Sequence, residues 1–213
     1  MANRKNIISP LMKINNSGAV KMNKKFMTLL IAVAAISMFA AEPQNLLVFG
    51  NWGGNHVWIH TPDKEGQAVR PKILKFTKFE AAEKDGKAVL TTEIGPEVAE
   101  IAGKYAPSIS ASWMQNVKLA DTKGGKYKFT FTYTCVPGKT GKNQAYFLAF
   151  PKTGKKSGKI FAKVLNINAK DAVASYEISI PEGADSVDLY LRLNAPGKIT
   201  FVNPVLTKIA VGK

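Results

Sequence analysis

Apolar and polar residues alternate with period two along much of the chain. In GKYKFTFTYTC, Tyr127, Phe129, Phe131, Tyr133 and Cys135 alternate with Lys126, Lys128, Thr130, Thr132 and Thr134. A strand with that pattern has one buried and one wet face. SVDLYLRLN repeats it, with Val187, Leu189, Leu191 and Leu193 on the apolar side and Asp188, Tyr190, Arg192 and Asn194 on the other. Further β-rich runs lie around 45–50, 71–80, 86–94, 108–119, 143–150, 159–168, 173–180 and 198–209. Turn residues punctuate them at Asp85-Gly86, Gly124-Gly125, Pro137-Gly138, Pro181-Glu182-Gly183 and Pro196-Gly197. Many short strands so divided predict an all-β fold of two packed antiparallel sheets rather than parallel β/α units. One helix is expected, over 96–106, with Pro96 opening it and Val98, Ile101 and Tyr105 turned inward. No internal repeat or linker divides the chain.

A different pattern occupies residues 22–41, MNKKFMTLLIAVAAISMFAA. Lys24 and Lys25 precede an uncharged, largely apolar core from Phe26 to Phe39, and Ala40 and Ala41 stand ahead of Glu42 and Pro43. That is the layout of a secretory signal peptide, although Met38 or Phe39 falls where a small residue is preferred at the cleavage site. The apolar run is short of the roughly 20 residues a bilayer-spanning helix needs. Met22 stands where such a signal begins, so residues 1–21 read as an unstructured extension upstream of the true start. The expected layout is therefore extension 1–21, signal peptide 22–41 and one domain over 42–213. The mature product is expected to be secreted or periplasmic, with no stable membrane insertion after cleavage.

Charge sharpens this picture. Of the 30 basic and 15 acidic residues, six basic and no acidic ones precede Glu42, so the remainder carries a net charge of +9. Between Asp121 and Asp171 there is no acidic residue but a succession of lysines, from Lys123 to Lys170. A field of that sign attracts polyanions; a soluble, lysine-decorated surface explains it as well. Cys135 is the only cysteine, which rules out an internal disulfide and leaves stability to packing.

Catalytic chemistry finds little footing. There is no G-x-S-x-G elbow, and Gly138-Lys139-Thr140 lacks the upstream glycine of a phosphate-binding loop because Tyr133 occupies that place. His56 and His60 are four apart without a helical setting or a third ligand. Glu80, Glu83, Glu93, Glu97 and Glu100 offer carboxylates for a glycosidase pair, but charged turns and a helix's first turn account for them. The expectation is no enzyme, no cofactor and no metal. The aromatic residues point elsewhere. Trp52 and Trp58 lie in the polar, glycine-rich GNWGGNHVWIHT, which reads as a loop or strand end. Exposed indoles make platforms for the apolar face of a sugar ring, while amides and arginine take its hydroxyls. The candidate ligand-binding residues are Trp52, Trp58, Trp113, Gln115, Tyr190 and Arg192; core packing is the competing role for the tryptophans, for Trp113 above all.

Three stretches carry a resemblance. QNLLVFGNW is similar to an N-L-L-x-N-G-x-F opening, and SWMQNVKLADTKGGKYKFTFTYTC to a strand pair ending in Gly-x-Tyr-x-hydrophobic-x-hydrophobic. ASYEISIPEGADSVDLYLRLNAPGKITFVNPVLTKI is similar to a closing pattern of turn, leucine-alternating strand, glycine turn and last strand. Together they resemble the galactose-binding-domain-like jelly rolls, in particular cellulase-C-type carbohydrate-binding modules, over most of 44–209. The resemblance implies a jelly-roll β-sandwich and carbohydrate binding. Members often hold a structural calcium with acidic groups near both ends of the domain. Here Asn51 and Gly53 stand where an acidic residue is common, and Asn203 replaces the closing aspartate; neutral oxygens bind calcium weakly. The expected function is a secreted, non-catalytic polysaccharide-binding protein whose glycan is anionic, with nucleic acid not expected as a partner. A structural or adhesive surface protein that binds other proteins through the same domain is the alternative.

Overall fold

The computed structural model describes residues 13–14, 20–21, 44–59, 63–138, 144–194 and 196–209. The chain divides into two units, Met1–Glu42 and Pro43–Lys213. In the first, β1 (Lys13–Ile14) pairs antiparallel with β2 (Val20–Lys21). That pairing departs from the expectation of an unstructured extension at these four residues; a two-rung ladder is marginal by itself, and the rest of 1–21 lies outside the described residues. The signal-peptide stretch 22–41 lies outside the described residues.

The second unit is a two-sheet antiparallel β-sandwich. One sheet orders its strands β10 (Phe161–Leu165), β8 (Gln144–Thr153), β12 (Ser186–Asn194), β6 (Ile109–Lys118) and β3 (Gly53–Ile59), with β9 (Lys156–Ser157) beside β8. The other orders β11 (Ala172–Ile180), β7 (Gly125–Pro137), β13 (Gly197–Lys208), β5 (Lys87–Ile94) and β4 (Thr77–Lys84). Neighbours in these lists are mostly distant in sequence, the mark of a jelly roll. Alternation decides what faces inward. Phe129, Leu191, Val187, Leu189, Ile199 and Phe201 are fully buried between the sheets. Phe129 stacks on Phe147 at 4.4 Å between centroids, joining β7 to β8 across the sandwich.

Local chemistry explains the connections. Asp85 and Gly86 both take positive φ, 52° and 69°, in the tight turn joining β4 to β5, the backbone a two-residue hairpin demands. The expected helix appears as α2 (Glu97–Ala102) running into a 3-10 turn, Gly103–Ser108. Val98 and Tyr105 are buried and Ile101 packs against the core.

Three elements differ from expectation. Residues 71–80 are not one strand, because helix α1 (Lys64–Leu74) occupies their first part and β4 starts at Thr77. Asp63 caps that helix by accepting the Gly66 N–H at 2.6 Å, with Glu65 in its first turn and Lys72 in its last, and it holds Pro71 inside. Residues 45–50 are not a ladder strand: Leu46 N–H donates to the Leu206 carbonyl at 2.8 Å, and a 3-10 turn follows at Phe49–Asn51. The glycine-rich segment, read as a loop or strand end, forms the whole edge strand β3, because its backbone pairs with β6.

Candidate functional site

The outer faces of the two sheets differ in kind. That of the β7 sheet presents Lys126, Lys128, Thr130, Thr132 and Thr134, with Thr200 across the strand pair and hydrogen-bonded to Thr91 at 3.1 Å. It is a threonine–lysine surface with no large ring along β7. The outer face of the β12 sheet is lined with rings. Because Val187, Leu189, Leu191 and Leu193 point into the core, Asp188, Tyr190 and Arg192 point away from it.

Register sets these residues in three rows across β6, β12 and β8. One row is Met114–Tyr190–Leu148, the next Ser112–Arg192–Tyr146, the third Asn116–Asp188–Phe150. The Phe150 and Tyr190 rings meet edge to face, 5.3 Å apart and 72° between planes. Burial and the nearby Asp188 charge push the Tyr190 hydroxyl up. Asp188 is buried, accepts from the Asn116 amide at 2.6 Å and ion-pairs with Lys152, which it raises. Arg192 is half-buried; its Nε donates to Ser112 Oγ at 3.1 Å and its guanidinium lies 5.8 Å from the Tyr190 ring centroid. Burial lowers its pKa from the ordinary arginine value. The arrangement combines aromatic area with a fixed cation and a neutralised carboxylate, which suits binding a polar ligand that also has an apolar face.

Of the six candidate residues, Tyr190 and Arg192 sit together here. Three others are interior: Trp113 and Trp52 take the competing core role, and Gln115 is corrected from a place on a ligand-binding face. Trp113 is 4% exposed, on the inner face of β6; its Nε1 donates to the Thr91 carbonyl at 3.2 Å and Phe79 meets it edge-on at 5.4 Å. Gln115, 2% exposed, donates from Nε2 to the Val48 carbonyl at 3.2 Å. Trp52 is buried at the end of the 3-10 turn. Trp113 and Gln115 lie inside the sandwich, and Trp52 lines a small cleft beside Asn45 and Asn203 rather than the outer face of the β12 sheet. The Trp58 backbone pairs with Ser110, and its side chain lies outside the described residues, as do the His56 side chain and His60. Tyr146, Phe150, Lys152 and Asp188 are additional members of the face. One signal for them exists in the sequence: QAYFLAF is apolar in both phases, since Tyr146, Leu148 and Phe150 interleave with Phe147 and Ala149.

The calcium that the family resemblance raises does not fit the residues present. In the cleft of ≈ 190 Å³ between Asn45, Trp52, Glu83 and Asn203, Glu83 is the only carboxylate. Asn45 Oδ1 already accepts the N–H groups of Leu47 and Leu206 at 3.1 and 3.0 Å. The glutamates considered for catalysis are scattered: Glu80 and Glu83 on β4, Glu93 ion-paired with Lys198, Glu97 and Glu100 on α2.

No protein-family model matches the chain, and no curated protein matches its sequence. Among solved structures it is similar in fold to the enzymatically active domain of bacteriophage CBA120 tailspike protein 4, at 8% identity and a TM-score of 0.52. That match covers 78% of this chain and 21% of the tailspike chain, so the chain spans about a fifth of that protein's length. It is also similar to the CBM22-1 xylan-binding domain of Xyn10C from Paenibacillus barcinonensis, at 10% identity, TM-score 0.45, covering 80% of this chain and 97% of that one. CtCBM11, a carbohydrate-binding module, aligns at 13% identity and TM-score 0.45 over 82% of this chain and 100% of its own. At these identities the likeness is one of fold alone.

Proposed function

We propose that the chain is an exported, non-catalytic protein that binds polysaccharide on the outer face of the β12 sheet. The observation that carries this reading is the aromatic patch of Tyr146, Tyr190 and Phe150 on adjacent strands, with Arg192 opposite Tyr146 and beside Tyr190, and Phe150 on the far side of Tyr190. A pyranose ring has an apolar C–H face and a polar rim. Rings of this kind match the first, and a guanidinium with neighbouring hydroxyl and amide groups matches the second. The family resemblance of the strand motifs supports the same function. Non-catalytic action is supported by the face itself: among its described residues Asp188 is the one carboxylate, and Lys152 and Asn116 engage it. A glycosidase needs two carboxyl groups flanking the bond. Export is supported by the signal-like residues 22–41, and an anionic glycan by Arg192 on the face and by the exposed Lys155, Lys156 and Lys159 of the β8–β10 connection.

Isothermal titration against a panel of plant, algal and bacterial polysaccharides tests the reading. Wild-type protein should bind at least one polymer, and Tyr190→Ala or Phe150→Ala should weaken that binding about tenfold or more, about 1.4 kcal/mol per tenfold, with the thermal midpoint nearly unchanged. Binding untouched by both substitutions would move the site elsewhere. Binding of no polymer at all would end the carbohydrate reading.

A further inference from the structure

Resting on that reading of the β12 face, we infer that Arg192 selects an acidic sugar, forking to the carboxylate of a uronic-acid residue laid across the face. A guanidinium taken out of water without a counter-charge is costly. Arg192 is half-buried, and no carboxylate among the described residues pairs with it. Its one hydrogen bond uses Nε, toward Ser112 Oγ, and its ring contact is with Tyr190. Among the described residues that leaves the Nη end of the fork without a hydrogen-bond or carboxylate partner, while Nε holds the plane of the group.

The surroundings supply no anion to spare. Asp188 belongs to Lys152 and Asn116. A planar fork of two N–H donors is the geometric complement of a carboxylate. In a uronic acid that carboxylate is attached directly to the pyranose ring, so one sugar residue meets both the Tyr146 and Tyr190 rings and the guanidinium between them. Two further groups point the same way. Asn194 follows Arg192 on the same side of β12, and Ser110 precedes Ser112 on the same side of β6. Asn194 Oδ1 and Ser110 Oγ are buried and lack a partner among the described residues. A buried polar atom without a partner is a cost that sugar hydroxyls would relieve. The exposed lysines of the β8–β10 connection, Lys155, Lys156 and Lys159, are hydrated point charges and add attraction without shape.

The test compares each acid with its own neutral form. Polygalacturonate and alginate oligosaccharides are titrated beside their methyl esters, with a sulfated galactan free of uronic acid and neutral xylan and galactan as further arms. Wild-type protein should bind one uronan about tenfold tighter than its ester, about 1.4 kcal/mol. Arg192→Gln should erase that ratio, because it weakens acid binding about tenfold more than it weakens ester binding. Arg192→Lys should keep part of it, as a point charge without the fork, and gives a second reading if the glutamine variant unfolds. Lys155→Gln should change the salt dependence and not the ratio. Equal affinity for acid and ester, a preference for the sulfated galactan, or a ratio that survives Arg192→Gln would overturn the inference. Neutral-glycan binding with no acid preference would defeat Arg192's role while the proposed function stands; failure to bind any arm would defeat both.

Discussion

Phe129 is fully buried and touches rings on both sides of the sandwich, Phe131 at 5.3 Å and Phe147 at 4.4 Å. Leu191 is equally buried, directly beneath the outer face that carries Tyr190 and Arg192. Removing either side chain deletes apolar contact and leaves a cavity that a two-sheet core closes only in part. Phe129→Ala or Leu191→Ala should therefore cost about 2–5 kcal/mol in urea unfolding, and a loss below about 1 kcal/mol would contradict the burial. Cys135 is buried on the same strand as Phe129, and burial alone pushes its thiol up to about 11. Since the thiolate is the reactive form, native protein at pH 8 should consume almost no thiol reagent, and urea-unfolded protein one equivalent. Rapid labelling of the native form would show Cys135 to be accessible.

Turns between elements separate backbone strain from close approach. Gly86 at the β4–β5 hairpin has φ +69° and open space where a Cβ would stand. Gly124 ahead of β7 has φ +70°, but a Cβ there would lie 2.6 Å from the Ile180 carbonyl oxygen and 2.7 Å from the Glu182 nitrogen. The first substitution meets conformational cost only, about 1–2 kcal/mol for a left-handed residue. The second adds a backbone clash that neither turn can yield to without loosening the β11–β12 connection. Gly124→Ala should thus destabilise more than Gly86→Ala, by thermal or urea unfolding; equal losses would mean that the two turns move apart freely.

Across the domain as a unit, charge is spread rather than gathered. The lysines of the acid-free stretch divide between both sheets, with Lys126 and Lys128 on β7 and Lys152 on β8. Some are already paired, Lys126 with Glu177 and Lys152 with Asp188. Two aspartates tie loops to the body. Asp121 is lowered from 3.8, first by Lys208 and then by the Lys123 N–H; Asp185 is lowered from 3.8, first by the Ser186 hydroxyl and then by the Gly154 N–H. A carboxyl held lower in the folded chain adds stability above its unfolded pKa, and that stability is lost as pH falls through the folded value. The thermal midpoint should accordingly drop as pH is taken below about 4, and Asp121→Asn with Asp185→Asn should flatten the drop. An unchanged slope would place the acid sensitivity in other groups.

Period two in β7 and β12 was enough to place Phe129 and Leu191 inside and Tyr190 and Arg192 outside, because alternation is a property of a single strand. The Asp85-Gly86 hairpin was legible for the same reason, since its φ requirement is local. Helix α1 was not: its apolar residues are few, Pro71 interrupts it, and its stability comes from the Asp63 cap and from burying Ile73 against the rest of the fold. Trp52 lies in a polar, glycine-rich run and is nonetheless buried, because the strands that cover it are remote in sequence. The candidate face shows the same division. Tyr190 and Arg192 declare their outward side from nearest neighbours alone. Tyr146 and Phe150 reach them only through the pairing of β8 with β12, more than 30 residues away along the chain. A strand's pattern states which side is wet; which other strand supplies the neighbouring rings is a matter of sheet order, which only packing of the whole chain decides.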